Sequence, residues 1–136
     1  MIHLVTLLEA LPVQETADAM AELRAADLRV GTVIVNRAGT GYLGKDVQQD
    51  AAKGRVDVDA LRSGLASAGL SLSDTDFSGL VAELIEHAAT LEAQDLSATE
   101  LAKNDVARLH LPALTDGVDL GGLYELAESL SEQGVR

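Results

Sequence analysis

An α/β fold built on a parallel sheet is what this sequence predicts, and three observations carry the prediction. Apolar runs at 3–8 and 30–35 are too short for helices and rich in branched residues. A stretch with helical spacing is threaded between them, and a third run at 108–114 is followed by another helical pattern. Strand, helix and strand within residues 3–36 make one βαβ unit, which implies parallel strands and a right-handed crossover.

The elements follow in order. HLVTLL at 3–8 reads as a buried strand. Pro12 favours a helix start because its fixed φ suits the first turn, and Glu15 is then expected in that turn, against the positive end of the helix dipole. Val13, Ala17, Met20 and Leu23 recur on one face, so this helix is expected over 12–26. VGTVIV at 30–35 is the strongest strand signal, continuous in apolar and β-branched residues as in a strand covered on both faces. Asn36 closes it, and a Gly-rich turn at 39–44 follows.

Helical patterns then appear at 57–68 (Val58, Leu61, Leu65) and at 77–94 (Phe77, Leu80, Leu84, Ala88, Leu91). A third runs from Ala98 to Val106, with Ser97 or Thr99 as its N-cap. Without a Pro-rich or low-complexity linker or an internal repeat, residues 40–105 read as a helical insertion within a single domain spanning 1–136. The closing strand RLHLPAL at 108–114 leads through the turn Thr115-Asp116-Gly117 to a helix over 120–133. Leu123, Leu126, Ala127 and Leu130 share a face of it, and Gly134 is its stop.

Composition removes several function classes. At 136 residues the chain can bury roughly two thirds of its unfolded surface in one core, which Leu, Val and Ala must fill because aromatic residues make up only 2%. The net charge of −12 disfavours DNA, RNA and anionic membrane surfaces, whose binding depends on clustered Lys and Arg. The absence of Cys excludes disulfides and thiolate metal sites and fits a cytoplasmic compartment. Neither a membrane-length apolar run nor a signal-peptide pattern after Met1 is present, so no direct membrane insertion is expected. Met1 precedes the first strand so closely that an excised fragment, an internal start or a split gene is expected.

Three stretches together resemble the ArsA-like, anion-transporting P-loop ATPases, a family that includes the arsenical pump-driving ATPase and the ATPase that targets tail-anchored membrane proteins. They are VTLLEALPVQETADAMAEL, GTVIVN and LHLPALTDGVDLGGLYELAESL. The match is to the C-terminal half only. It implies the C-terminal portion of a P-loop-type three-layer fold, with the helical insertion inside it. Carried over by resemblance, Asn36 contacts the adenine of ATP while Leu111 and Pro112 line the other side of the base. An amide offers the donor and acceptor that adenine's edge requires, and strand C-termini are where doubly wound sheets bind ligands.

The resemblance also implies ATP with Mg²⁺ as the cofactor of the full-length parent, weak or no binding by this chain alone, and a homodimer or a pairing with a missing N-terminal P-loop half. A membrane pump is conceivable as a partner from the family alone. The P-loop, catalytic Asp and switch loops of the family lie upstream of the matched part and are not found in these residues, so the chain alone is not expected to hydrolyse ATP. Metalloid-binding members use Cys thiolates, which this chain lacks.

The remaining motifs are weaker. Gly39 to Asp46 nearly satisfies G-x-x-x-x-G-K-[ST], but Asp46 replaces the hydroxyl that holds Mg²⁺, and VQQDAAKG beyond it lacks a strong apolar face. His3, His87 and His110 are too widely separated for a metal motif, and no G-x-S-x-G elbow is present. Glu83, Glu86 and Glu92 read as solvated surface. The insertion has no Met, which argues against a Met-rich client groove. The alternative to a nucleotide-binding half is a non-catalytic interaction module that pairs with a separate P-loop subunit through an open sheet edge.

Overall fold

The computed structural model describes residues 1–114 and 117–135. Its elements are β1 (Ile2–Thr6), α1 (Ala10–Ala25), β2 (Val30–Ala38), α2 (Lys45–Ala52), α3 (Val58–Ser67), α4 (Asp74–Ala102), β3 (Arg108–Pro112) and α5 (Leu120–Glu132). The sheet has the order β1-β2-β3 and both pairings are parallel, as the βαβ reading requires. The expected turn residues Thr115 and Asp116 lie outside the described residues.

The chain divides into two compact units, one formed by Met1–Thr40 with Ala93–Arg136 and the other by Gly41–Glu92. The first holds the sheet. Leu4, Val33 and Arg108 are in register across it, as are Val5, Ile34 and Leu109, so the two sets line opposite faces. Val33 and Val35 are fully buried together with Met20 and Val13 of α1 and Leu101 of α4, and Leu4, Leu8, Ala17 and Val106 close around them. Burying such a cluster supplies most of the stabilisation available to a unit this poor in aromatics, at roughly 1.5–3 kcal/mol per large aliphatic side chain. The opposite face is less covered. Ile34 and Leu109 are half-buried there, and Val5 is 64% exposed.

Helix α1 begins at Ala10, earlier than Pro12. Pro12 is tolerated as the third helical residue because the first four N–H groups of a helix have no internal partner. Glu15 consequently falls beyond the first turn, which contains no acid. The helix ends at Asp27, whose φ of 58° lets its N–H reach the Arg24 carbonyl and the Leu28 N–H reach that of Leu23. Helix α5 ends as expected at Gly134, with φ of 90° and N–H bonds from Gly134 to Ser131 and from Val135 to Leu130. The face predicted to bury α5 is only partly covered. Leu126 and Leu130 are half-buried, whereas Leu123 and Ala127 are exposed.

Strand β3 is an edge strand, and α5 covers part of that edge with a side chain. The Gln133 carboxamide oxygen accepts the His110 N–H at 2.8 Å, and its nitrogen donates to the His110 carbonyl at 2.7 Å. One amide thus satisfies both outward groups of a peptide, as a neighbouring strand would. The outer edge of β1 has no paired strand among the described residues.

The second unit is helical. Helix α2 forms where a weak apolar pattern argued against it, because its inward residues are a small one, Ala51, and a polar one, Gln48. Gln48 is buried and its amide donates to Glu92 at 3.0 Å. Glu92 is therefore a packing partner rather than solvated surface, while Glu83 and Glu86 are exposed as expected. Asp57 caps α3 by accepting the Ala60 N–H at 2.9 Å. Arg62 of α3 lies 4.0 Å over the buried Phe77 ring and pairs with Asp74.

Helix α4 is continuous over 29 residues, where two helices were expected. Ser73 accepts the Asp76 N–H at its start. Ser97 and Thr99 do not cap a new helix: Ser97 is buried within α4, and Thr99 donates back to the Asp95 carbonyl at 2.9 Å. Among the described residues no helix is long and apolar enough to cross a membrane.

Candidate functional site

The residues singled out by sequence meet at the carboxyl ends of two adjacent strands. Val35 of β2 is in register with His110 of β3, and Ala38 with Pro112, so Asn36 and Arg37 together face the single residue Leu111. This is a two-versus-one bulge, a local defect common beside binding sites because it changes where side chains are presented. The ladder resumes beyond it, with the Ala113 N–H donating to the Ala38 carbonyl at 3.0 Å. Asn36, Leu111 and Pro112 are all half-buried.

The bulge depends on Arg37 adopting φ of 54°, a left-handed conformation that costs a residue with a Cβ about 1 kcal/mol or more. Asn36 supports it. Its side-chain oxygen accepts the Arg37 N–H at 3.0 Å, so this acceptor already has a local backbone partner. The Arg37 side chain is exposed. Sequence reasoning missed Arg37, since residue type predicts left-handed backbone for Gly, Asn or Asp and not for Arg.

Electrostatically the edge is simple. At the strand ends and the loops after them, residues 7–9, 36–40, 113–114 and 117–119, Arg37 is the only cation among the described residues. Glu9 and Asp119 are the acids. Asp119 is occupied as the N-cap of α5, accepting the Gly122 N–H at 2.8 Å. Glu9 precedes α1 without a side-chain cap bond. The arrangement combines an apolar ledge, an amide and one guanidinium, which suits a planar heteroaromatic group better than a metal ion. No cluster of His, Asp or Glu that could hold a metal occurs among the described residues. His3 and His110 serve the sheet: His3 accepts the Thr32 N–H through Nδ1 at 3.0 Å, and His110 offers its peptide groups to Gln133.

A concavity lies apart from this edge. It is a groove of about 540 Å³ between α1 and residues 96–104, lined by Val13, Ala17, Asp18, Leu96, Glu100 and Asn104 among others. Its rim carries an ion pair between Lys103 and Glu100 at 2.7 Å. Neither Asn36 nor Leu111 contributes to it.

No family model matches the chain. Over 135 residues, 99% of its length, the chain is 53% identical to ATPase BagA of Mycobacterium tuberculosis and equally to a Mycobacterium bovis protein named "Putative ATPase Mb3704". The chain spans about 40% of the length of these curated relatives. At this identity the shared segment has the same fold, so the chain is related in sequence to proteins named as ATPases and corresponds to two fifths of each.

Proposed function

We propose that this chain is the C-terminal, adenine-side portion of an ArsA-like ATPase. In this reading Asn36, Leu111 and Pro112 form the base-binding edge, and the phosphates and Mg²⁺ are held by a P-loop on another part of the protein or on a separate subunit. The observation that carries the reading is the meeting of Asn36 with Leu111 and Pro112 at the carboxyl ends of neighbouring parallel strands, where sheets of this type take nucleotides. The names of the relatives agree with its coarser part, an ATPase. The residues at the edge fit a base and not a magnesium ion. When bound, MgATP would supply the phosphoryl group and its charge neutralisation, while these residues hold and orient the base. The chain by itself binds adenine nucleotides weakly or not at all and does not hydrolyse them, it joins a homodimer or a P-loop half, and it works in the cytoplasm.

The test is reconstitution. The chain and a polypeptide spanning the rest of a relative's length are assayed for ATP hydrolysis separately and mixed. Activity that requires the P-loop polypeptide and falls with Asn36→Ala supports the reading. Hydrolysis by the chain alone, or reconstituted activity indifferent to Asn36→Ala, sinks it.

A second reading is favoured by the open edge of β1 and the exposure of Val5 beside it. Here the chain is a non-catalytic module that pairs with a P-loop subunit through that edge. Asn36→Ala then leaves the association untouched, whereas a charged residue in place of Val5 abolishes it.

A further inference from the structure

We infer that Arg37, rather than Asn36, is the side chain through which this edge engages the purine base, and that Asn36 is a positioning residue that holds Arg37 in place. The inference rests on the adenine-side reading above. It starts from a bond already made: the Asn36 side-chain oxygen accepts the N–H of the next residue. In this geometry one of that oxygen's two acceptor sites is spent on the chain's own backbone, and the amide is held in place for that bond.

What the bond holds is an unusual backbone. Arg37 is in the left-handed region, and so is Asp27 of the described residues other than glycine. Asp27 ends a helix, where this conformation closes the last turn. Arg37 lies inside a strand pair, where a Gly would form the same bulge without steric cost. A residue with a Cβ at a position that glycine would fill without strain is explained when its side chain is what the position exists to present.

The surroundings match the chemistry of a guanidinium. Arg37 is exposed, it is the only cation at this edge among the described residues, and the net charge of the chain is −12. The residue facing it across the bulge is Leu111, half-buried and followed by half-buried Pro112. A planar, delocalised cation beside an apolar ledge favours a flat aromatic ring over a compact anion, because guanidinium stacks on π-systems while keeping its edge N–H groups hydrated.

The test is an NMR titration of the 136-residue chain with adenosine, with ATP and with inorganic phosphate. Adenosine and ATP should shift the amides of residues 36–38 and 111–113, and phosphate should not. Arg37→Gly keeps the left-handed backbone, so its Tm should match or exceed that of the wild type. Its affinity for adenosine and for ATP should fall by about tenfold alike, the range expected for one desolvated stacking cation. Arg37→Lys should recover little. Asn36→Ala should lose as much, and the double variant should lose no more than either alone, because both act through one contact. Undiminished binding by Arg37→Gly together with loss in Asn36→Ala overturns the inference and leaves the adenine-side reading standing. Response to phosphate with full recovery by Arg37→Lys also overturns it, as the cation then serves phosphates. No response of the wild-type chain to adenosine or ATP overturns the inference, which requires this edge to engage the base by itself, and leaves the adenine-side reading to the reconstitution test.

Discussion

Strand β2 carries two irregularities, and they are built differently. Near its start, Ile2 pairs with Val30 and Leu4 with Val33, so Gly31 and Thr32 face His3 alone. Near its end, Asn36 and Arg37 face Leu111 alone. At the first, the partner strand fills the gap: the His3 imidazole accepts the Thr32 N–H, and Gly31 admits the ring, since a Cβ there would lie 2.8 Å from His3 Cε1. At the second, the gap is closed from within the strand by Asn36, and the exposed Arg37 is left with its side chain free of the strand pairing. A bulge is thus no sign of a binding site by itself. What distinguishes the two is whether the neighbouring strand consumes the defect or leaves a chemically capable side chain beside it.

The largest expected effect removes the platform on which both irregularities stand. Met20→Ala empties a fully buried position against Val33 and Val35 and should cost about 2–5 kcal/mol in a denaturant titration, disordering both bulges together. If only one were lost, the two would not share a common support. Next is Gly31→Ala, which forces the imidazole out and strands the Thr32 N–H, for about 1–2 kcal/mol. Adding His3→Ala should then cost less than it does alone, because the clash has already displaced the ring. Additive losses would mean that His3 does not fill the first bulge.

Gln133→Ala should cost about 1 kcal/mol by unpairing the His110 peptide, seen as faster hydrogen exchange at His110 and not at Val33. Smallest is Arg37→Gly, which relieves backbone strain and should change stability by no more than about 1 kcal/mol, in the stabilising direction. A marked loss would show that Arg37 is part of the packing after all.

Much of the fold was legible because the strands and α1 follow simple rules. The run at 30–35 forms the middle of β2, the Leu-Pro run forms β3, and Val13 and Met20 point α1 at the sheet. Parallel pairing of β1 with β2 followed from the helix between them, whereas it is the separate pairing of β2 with β3 that brings Asn36 beside Leu111 and Pro112. Polar residues with internal partners were misread. Thr99 signals a cap by type, yet its hydroxyl is satisfied inside α4, so nothing breaks that helix. Gln48 and Glu92 hold each other where an apolar pattern was sought. Arg37 was illegible for another reason: its conformation is set by a count of residues across two strands, which no local pattern records.

The Gln133 amide on His110 also decides how this sheet can grow. With His110 at the middle of the β3 margin already satisfied by a side chain, a further strand meets less competition at β1, so growth of the sheet is biased toward one margin. A side-chain clasp on one residue of an edge strand thus works against open-ended strand addition there, as bulges and charged edge residues do in other sheets.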